Sequence, residues 1–287
     1  MVTKDATAII DADGALTELG TTDCVPWWSF TKTVLSITTL RLVEKGSLSL
    51  DGHLPDFPFS LRQLLRHEAG LPDYARIAQY HADVAAGKTP WPVERLLAIA
   101  DANRLRYAPG AGWGYSNIGY LRVSQLIERA SGKDLAEALG DHVFGPAGLA
   151  SPRLAKEPGD LIEVQMGSTS GYHPGWVYHG LVVGTVADAA RLLWLLTNNR
   201  LLQPSTFAEM IDPHSLLNFR SAANPDPADG LGLMLRAKNP IMHPIGHTGE
   251  GPDSKIAVYA KNRKIAALWT SLPSMFDAEA GAFDLLA

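Results

Sequence analysis

A chain of 287 residues, 46% hydrophobic and 19% charged, can form one large domain or two lobes and has the composition of an ordinary soluble globular protein. Its net charge of -5, with Lys and Arg scattered and no basic run, argues against a nucleic-acid backbone or an anionic membrane as the main partner. Cys24 is the single cysteine, so no intrachain disulfide can form, and no run of about 18 apolar residues marks a membrane span.

No apolar export signal interrupts the first residues as far as Asp11, so the chain as given is expected to be soluble and cytoplasmic. Ala6 to Ile10 and Ala15 to Leu19, separated by the turn signal Asp11-Ala12-Asp13-Gly14, read as a β-hairpin. Cys24, beside Val25 and Trp27, is expected to pack inside. Phe30 to Val43 carries helical apolar periodicity, closed by Lys45, which suits the negative helix end, and by Gly46 as a left-handed cap. Ser47 to Pro58 is a loop.

From Ser60 to Leu149 the pattern is almost wholly helical. Ser60 followed by Gln63 is a capping box, Trp91 to Ala102 and Asn117 to Ala130 are amphipathic runs, and Leu135 to Phe144 follows the break at Ser131-Gly132. Pro152 to Pro174 reads as loop with one strand around Leu161 to Met166. Thr185 caps a helix to Thr197 with Asp188 in its first turn, and Ser205 to Ile211 is one more. Strands return at Gly230 to Arg236, Lys255 to Tyr259 and Lys264 to Thr270, with Asn262-Arg263 turning between the last two and Phe276 to Ala287 as a terminal helix.

Strands at both ends around a helical block predict an α+β lobe made of residues 1–58 and 175–287, with an all-α lobe of residues 59–174 inserted, in one domain of residues 1–287. A cleft between such lobes is a common place for a ligand.

Ser29 sits at the start of the first long helix, close to unpaired backbone N–H groups and the positive end of the dipole. Lys32 lies one turn along on the same face. A serine hydroxyl is a poor nucleophile until a base takes its proton, and a lysine amine does this once desolvation lowers its pKa. Alone, Ser29 would be a helix cap. Two further triplets change its meaning: Tyr115-Ser116-Asn117, after the loop Pro109-Gly110-Ala111-Gly112, and His247-Thr248-Gly249 ahead of the strand Lys255 to Tyr259.

The order Ser-x-x-Lys, Tyr-x-Asn, His-Thr-Gly resembles the penicillin-recognising serine hydrolases, in their class C β-lactamase-like branch. Leu64 to Tyr74 is similar to the family's Leu-Leu-x-His-Thr-Ser-Gly-Leu-Pro segment, with Glu68-Ala69 in place of Thr-Ser. Pro109 to Tyr120 and Gly180 to Asp188 are similar to its Pro-Gly-x-x-x-x-Tyr-Ser-Asn-x-Gly-Tyr and Gly-Leu-x-Ser-Thr-x-x-Asp runs. The resemblance covers most of the chain. It implies a serine β-lactamase-like α+β fold, an antiparallel sheet flanked by helices with an inserted all-α lobe.

It also implies the roles. Ser29 is the nucleophile that becomes acylated, and Lys32 and Tyr115 share proton transfer: Lys32 is either the base or the cation that stabilises a Tyr115 phenolate. Asn117 aims at the acyl part of the substrate or holds Lys32. The backbone N–H groups of Ser29 and Glu250 meet the oxyanion, with Thr248 and Gly249 alongside. His247 stands where most β-lactamases have lysine, and a mostly neutral imidazole offers a substrate carboxylate a hydrogen bond in place of a full charge.

Glu250, Asp253 and Trp28 depart from the family's usual residues, and Trp27, Trp28, Trp113, Trp176 and Tyr178 read either as an apolar cleft wall or as core. The expected activity is a cofactor-independent carboxylesterase acting on small esters with apolar acyl groups. D-amino-acid amidase or peptidase ranks second and β-lactamase third, and the rival of another class is a penicillin-binding-like protein that has lost turnover. A metal site at His243 and His247 or at His173 and His179 fits no zinc spacing. Gly167-Ser168-Thr169-Ser170-Gly171 has threonine where an α/β-hydrolase elbow needs serine.

Overall fold

The computed structural model describes residues 5–167, 171–220, 225–238, 244–271 and 277–287. Strands β1 (Ala6–Ile10) and β2 (Leu16–Gly20) form the expected antiparallel hairpin. A short β3 (Val25–Pro26) leads through a 3₁₀ turn, Trp28–Phe30, into α1 (Thr31–Glu44). This helix is buried almost all round, which a helix amid other elements requires of its side chains. Its buried hydroxyls are satisfied: Thr38 and Thr39 donate to Val34 O and Leu35 O at 3.0 and 2.8 Å, and Thr33 to Gly232 O at 2.8 Å.

The helical block follows as α2 (Leu61–Leu65), α3 (Ala78–Ala85), α4 (Val93–Ile99), α5 (Asn117–Ser131), α6 (Leu135–Leu139) and α7 (Gly145–Ala147). Its boundaries are set by local chemistry. Ser60 and Gln63 make the reciprocal capping box, and Ser116 caps α5, which Gly132 ends at φ 68°. The run Leu135 to Phe144 is not one α-helix: after Leu139 it loosens into a π turn, Gly140–Phe144.

The rest comprises β4 (Arg153–Ala155), β5 (Leu181–Gly184), α8 (Val186–Thr197), α9 (Pro204–Met210), β6 (His214–Ser215), β7 (Pro227–Asp229), β8 (Met234–Arg236), β9 (Ile245–Gly251), β10 (Ser254–Lys261), β11 (Lys264–Thr270) and α10 (Ala278–Leu285). Thr185 accepts the Asp188 N–H and caps α8 as its sequence implied. An eight-stranded antiparallel sheet runs in the order β2-β1-β11-β10-β9-β8-β7-β6, and β3, β5 and β4 make a small second sheet. The fold is therefore α+β, with α8 packed on one face of the large sheet and α10 on the other.

Three expectations need correction. The strand expected at Leu161 to Met166 is absent: a 3₁₀ turn occupies Pro158–Leu161, Ile162 is 84% exposed, and a lone bridge joins Val164 to Cys24. The strand expected across Gly230 to Arg236 is broken, because the chain turns between β7 and β8 with Gly232 at φ 75°. His247-Thr248-Gly249 precedes the strand at Lys255 to Tyr259, now β10, and itself lies inside a further strand, β9. Cys24 is half-buried, not enclosed, with its Sγ accepting from Arg153 at 3.6 Å. Phe276, His243 and Ser168-Thr169-Ser170 lie outside the described residues.

Candidate active site

The turn ahead of α1 is held open by packing. Trp28, directly before Ser29, has φ 39°, a conformation that a bulky residue adopts only under constraint. Its indole N–H donates to Ser254 Oγ at 3.0 Å and its ring meets Tyr172 edge-on at 5.6 Å. Trp27, fully buried, donates to Gly184 O at 3.2 Å. Ser29 is thereby presented at the mouth of the helix. Strand β9 passes so close that a Cβ on Gly249 would lie 2.7 Å from Ser29 N, 2.7 Å from Trp27 O and 2.8 Å from Trp28 Cβ. Carbon contacts are comfortable at about 3.5 Å or more, so glycine is the residue that lets strand and turn meet.

Lys32 is completely buried beneath Ser29. Its Nζ lies 3.1 Å from Ser29 Oγ, 2.8 Å from Asn117 Oδ1 and 3.2 Å from His179 Nε2, over the rings of Tyr115 and Tyr120 at 5.0 and 5.6 Å. Burial lowers its pKa from 10.5 to about 7, with the charge of Asp73 opposing. Asp73 also orients the neighbour: its Oδ1 accepts from Asn117 Nδ2 at 3.0 Å and from the Asn117 backbone N–H at 3.1 Å. The amide oxygen is left to face the lysine.

Tyr115 closes the group from the other side, its hydroxyl donating to Ser29 Oγ at 3.0 Å. Burial raises its pKa well above the usual phenol range, and the Ser29 hydrogen bond pulls the other way. The ring of His67 packs against it at 4.4 Å, while His67 Nδ1 accepts the Ser116 backbone N–H at 3.1 Å. Burial and the nearby Lys32 keep His67 neutral.

His247 is buried on β9, with Nδ1 donating to Thr248 O at 2.8 Å; burial, then Lys32, push its pKa down to about 3. It carries no charge at neutral pH. The Thr248 hydroxyl is engaged by Tyr259 and Glu279 at 2.9 and 3.3 Å. Glu250 points outward, its side chain 60% exposed and 3.5 Å from Lys255 Nζ, so its charge is partly answered there. Asp253 adopts φ 57° in the turn between β9 and β10, the conformation that a glycine would take freely.

Two cavities flank the Ser29–Tyr115 pair. One of about 500 Å³ is lined by Ser29, Asn117, His179 and Glu250 among Trp28, Tyr74, Tyr80 and Tyr172. The other, of about 200 Å³, is lined by Tyr115, His67, His247, Trp113, Asp229 and Glu279. The aromatic wall is thus divided: Trp28 and Trp113 face cavities, whereas Trp27 and Trp176 are core.

Three residues without an assigned role in the sequence, Asp73, His179 and Asp229, belong to this site. Asp73 and His179 each stand inside or beside a segment that carried the family resemblance, but nothing local marks them as neighbours of Lys32. Asp229 and Trp113 bond at 2.8 Å, and burial raises the Asp229 carboxyl to about 7 against that bond. No sequence signal joins them. His173 and His179 do not form a metal pair: His173 accepts from Gly175 N at 3.1 Å, and His179 faces Lys32.

A family model described as Beta-lactamase matches residues 2–287. Penicillin-binding protein 4* of Bacillus subtilis (strain 168) is 32% identical over 134 residues, 44% of this chain and 29% of that protein. Lovastatin esterase of Penicillium rubens (strain ATCC 28089 / DSM 1075 / NRRL 1951 / Wisconsin 54-1255) is 28% identical over 155 residues, 44% of this chain and 38% of that protein. The matches therefore span well under half the length of these curated relatives. The solved D-amino acid amidase from Ochrobactrum anthropi SV3 superposes with a TM-score of 0.78 at 19% identity, covering 99% of this chain and 94% of the other, a likeness of fold.

Proposed function

The chain belongs to the Beta-lactamase family, and from that premise we propose that it is an acyl-serine hydrolase whose preferred substrates are small carboxylic esters with apolar acyl groups. One observation carries the reading: Ser29 Oγ lies within hydrogen-bond reach of both Lys32 Nζ and Tyr115 OH, at 3.1 and 3.0 Å.

The division of labour follows from the two pKa shifts. Lys32, at about 7, is in large part a free amine at neutral pH, whereas Tyr115 is a phenol there. Lys32 therefore takes the Ser29 proton as Oγ attacks the carbonyl carbon. The developing oxyanion is met by the backbone N–H groups of Ser29 and Glu250, on the turn and strand that touch at Gly249. Collapse expels the alcohol, which receives a proton through Tyr115 and Lys32, and leaves an ester on Ser29. Water, deprotonated by the same groups, releases the acid.

Ester preference rests on the surroundings. Trp28, Tyr74, Tyr80 and Tyr172 offer an apolar wall for the acyl group, and at position 247 a neutral imidazole stands in place of a cation that a substrate carboxylate would seek. The curated lovastatin esterase supports the same side. The likeness to a D-amino acid amidase supports amides, D-amino-acid amides among them, as the second reading.

The test is turnover of a panel of p-nitrophenyl esters, D-amino-acid p-nitroanilides and a chromogenic cephalosporin by the parent and by Ser29→Ala. The reading expects esters fastest and every activity lost with the hydroxyl. Label by a fluorophosphonate at Ser29 without steady-state turnover would instead identify a binding protein that retains the covalent step alone.

A further inference from the structure

We infer that His179 is a positioning residue that decides which way the lone pair of Lys32 points, and so whether the amine is aimed to accept the Ser29 proton. The inference rests on Lys32 being the base.

Counting protons and lone pairs around Nζ leads to this assignment. Three groups stand at hydrogen-bond distance: Asn117 Oδ1 at 2.8 Å, Ser29 Oγ at 3.1 Å and His179 Nε2 at 3.2 Å. Asn117 can only accept, because Asp73 holds its NH₂ end. A neutral amine has two N–H groups and one lone pair. One N–H goes to Asn117, so the other N–H and the lone pair are divided between Ser29 and His179.

If His179 carries its proton on Nδ1, its bare Nε2 takes the second N–H and the lone pair faces the serine hydroxyl. If the proton is on Nε2, that N–H occupies the lone pair and the amine presents N–H to Ser29, which cannot then be deprotonated. Once Lys32 has accepted the serine proton it has three N–H groups and needs three acceptors, and the Nδ1–H form of His179 supplies the third. The same tautomer serves both sides of the transfer.

The environment suits this role. His179 is 2% exposed and lines the larger cavity, and its Nδ1 is buried with no hydrogen-bond partner among the described residues. A buried orphan is unusual and asks for a reason. Here the reason is that Nδ1 gives up local satisfaction so that Nε2 serves the lysine. The imidazole does not compete as an acid: burial, with the nearby Lys32, holds it neutral. The other groups facing Lys32 are Tyr115, Tyr120, Asp73, His67 and His247, and none of them offers a third acceptor to Nζ among the bonds described.

The test is the pH profile of kcat/KM for a p-nitrophenyl ester in His179→Leu and His179→Gln, with Ser29→Ala alongside. Leucine removes the acceptor, so the ammonium loses a partner. The acid limb should move to lower pH by about half a unit or more while the plateau falls at least tenfold. Glutamine, whose amide oxygen can accept, should recover at least part of the plateau and return the limb toward the parent's. An acid limb at its parental position in His179→Leu would overturn the inference, as would a Gln variant no better than Leu. Should Leu fail to fold, the Gln profile decides alone: a plateau unchanged from Ser29→Ala background contradicts the role. Activity surviving in Ser29→Ala would instead sink the hydrolase reading itself.

Discussion

Lys32→Met should make the stability of this protein less dependent on pH, because it removes an ionisable group that the fold strips of water. In the folded protein burial holds the Lys32 pKa at about 7, against 10.5 for an unhindered lysine. The unfolded chain therefore binds the proton more tightly, and between these two values the parent gains stability as pH rises. The linkage relation puts the penalty at about 4 kcal/mol at pH 7 and about 2 kcal/mol at pH 9. Methionine has nearly the same length and no charge, while the other titrating groups are common to both proteins. Urea unfolding of parent and variant at the two pH values measures the change in their stability difference, which cancels what they share. The difference should shift by about 2 kcal/mol in the parent's favour on going to pH 9. A difference constant to within about 0.5 kcal/mol would refute the claim that the buried amine is disfavoured as a cation.

The same ionisation should appear in catalysis: kcat/KM for a neutral ester should rise with pH through an acid limb near pH 7, since the base is the free amine. A profile flat from pH 5 to 9 would remove Lys32 from that role. Gly249→Ala sets a Cβ 2.7 Å from Ser29 N and must push β9 away from the nucleophile turn. Losing one oxyanion donor costs about 10²- to 10³-fold in rate, so kcat should fall at least that far in a protein that still folds by circular dichroism; activity within twofold of the parent would show that the strand does not define the oxyanion site. His247→Lys restores a cation and should improve the ratio of kcat/KM for carboxylate-bearing over neutral esters, by about tenfold. An unchanged ratio would mean that charge at this position does not govern selectivity.

The parts of this molecule that could be read in its sequence are those fixed by neighbours along the chain. The caps at Ser60 and Thr185 rest on side-chain bonds to backbone N–H groups within the next turn, so the residues themselves announce the helix. The β10–β11 hairpin was legible from Asn262-Arg263, which take φ 52° and 67° as such a turn requires. Strand β9 was not. Ile245-Gly246-His247-Thr248-Gly249-Glu250-Gly251 has too many glycines to look like a strand, and those glycines are present because Tyr259 and the Ser29 turn come so close. At Leu161 to Met166 the reverse holds: apolar residues suggest a strand, but Ile162 faces solvent, Ile162 and Val164 bond back to Gly159 and Leu161, and only a single bridge to Cys24 forms.

The site divides in the same way. Ser29 and Lys32 share a helix face by spacing, and Tyr115 and Asn117 follow from a triplet with a recognisable partner order. Asp73 and His179 come to Lys32 from loops that adjoin recognisable segments, and their meaning depends on a buried amine that a linear reading does not show. Asp229 reaches Trp113 from the last position of β7, just ahead of the stretch Gly230 to Arg236 that reads as a strand.

The most direct test of the account is intact-mass analysis of enzyme quenched during turnover of a slow p-nitrophenyl ester, followed by peptide mapping. An adduct of the acyl group's mass on the peptide holding Ser29, absent from Ser29→Ala, is the expected result. Turnover that continues in Ser29→Ala, or an acyl group found on another residue, would contradict it.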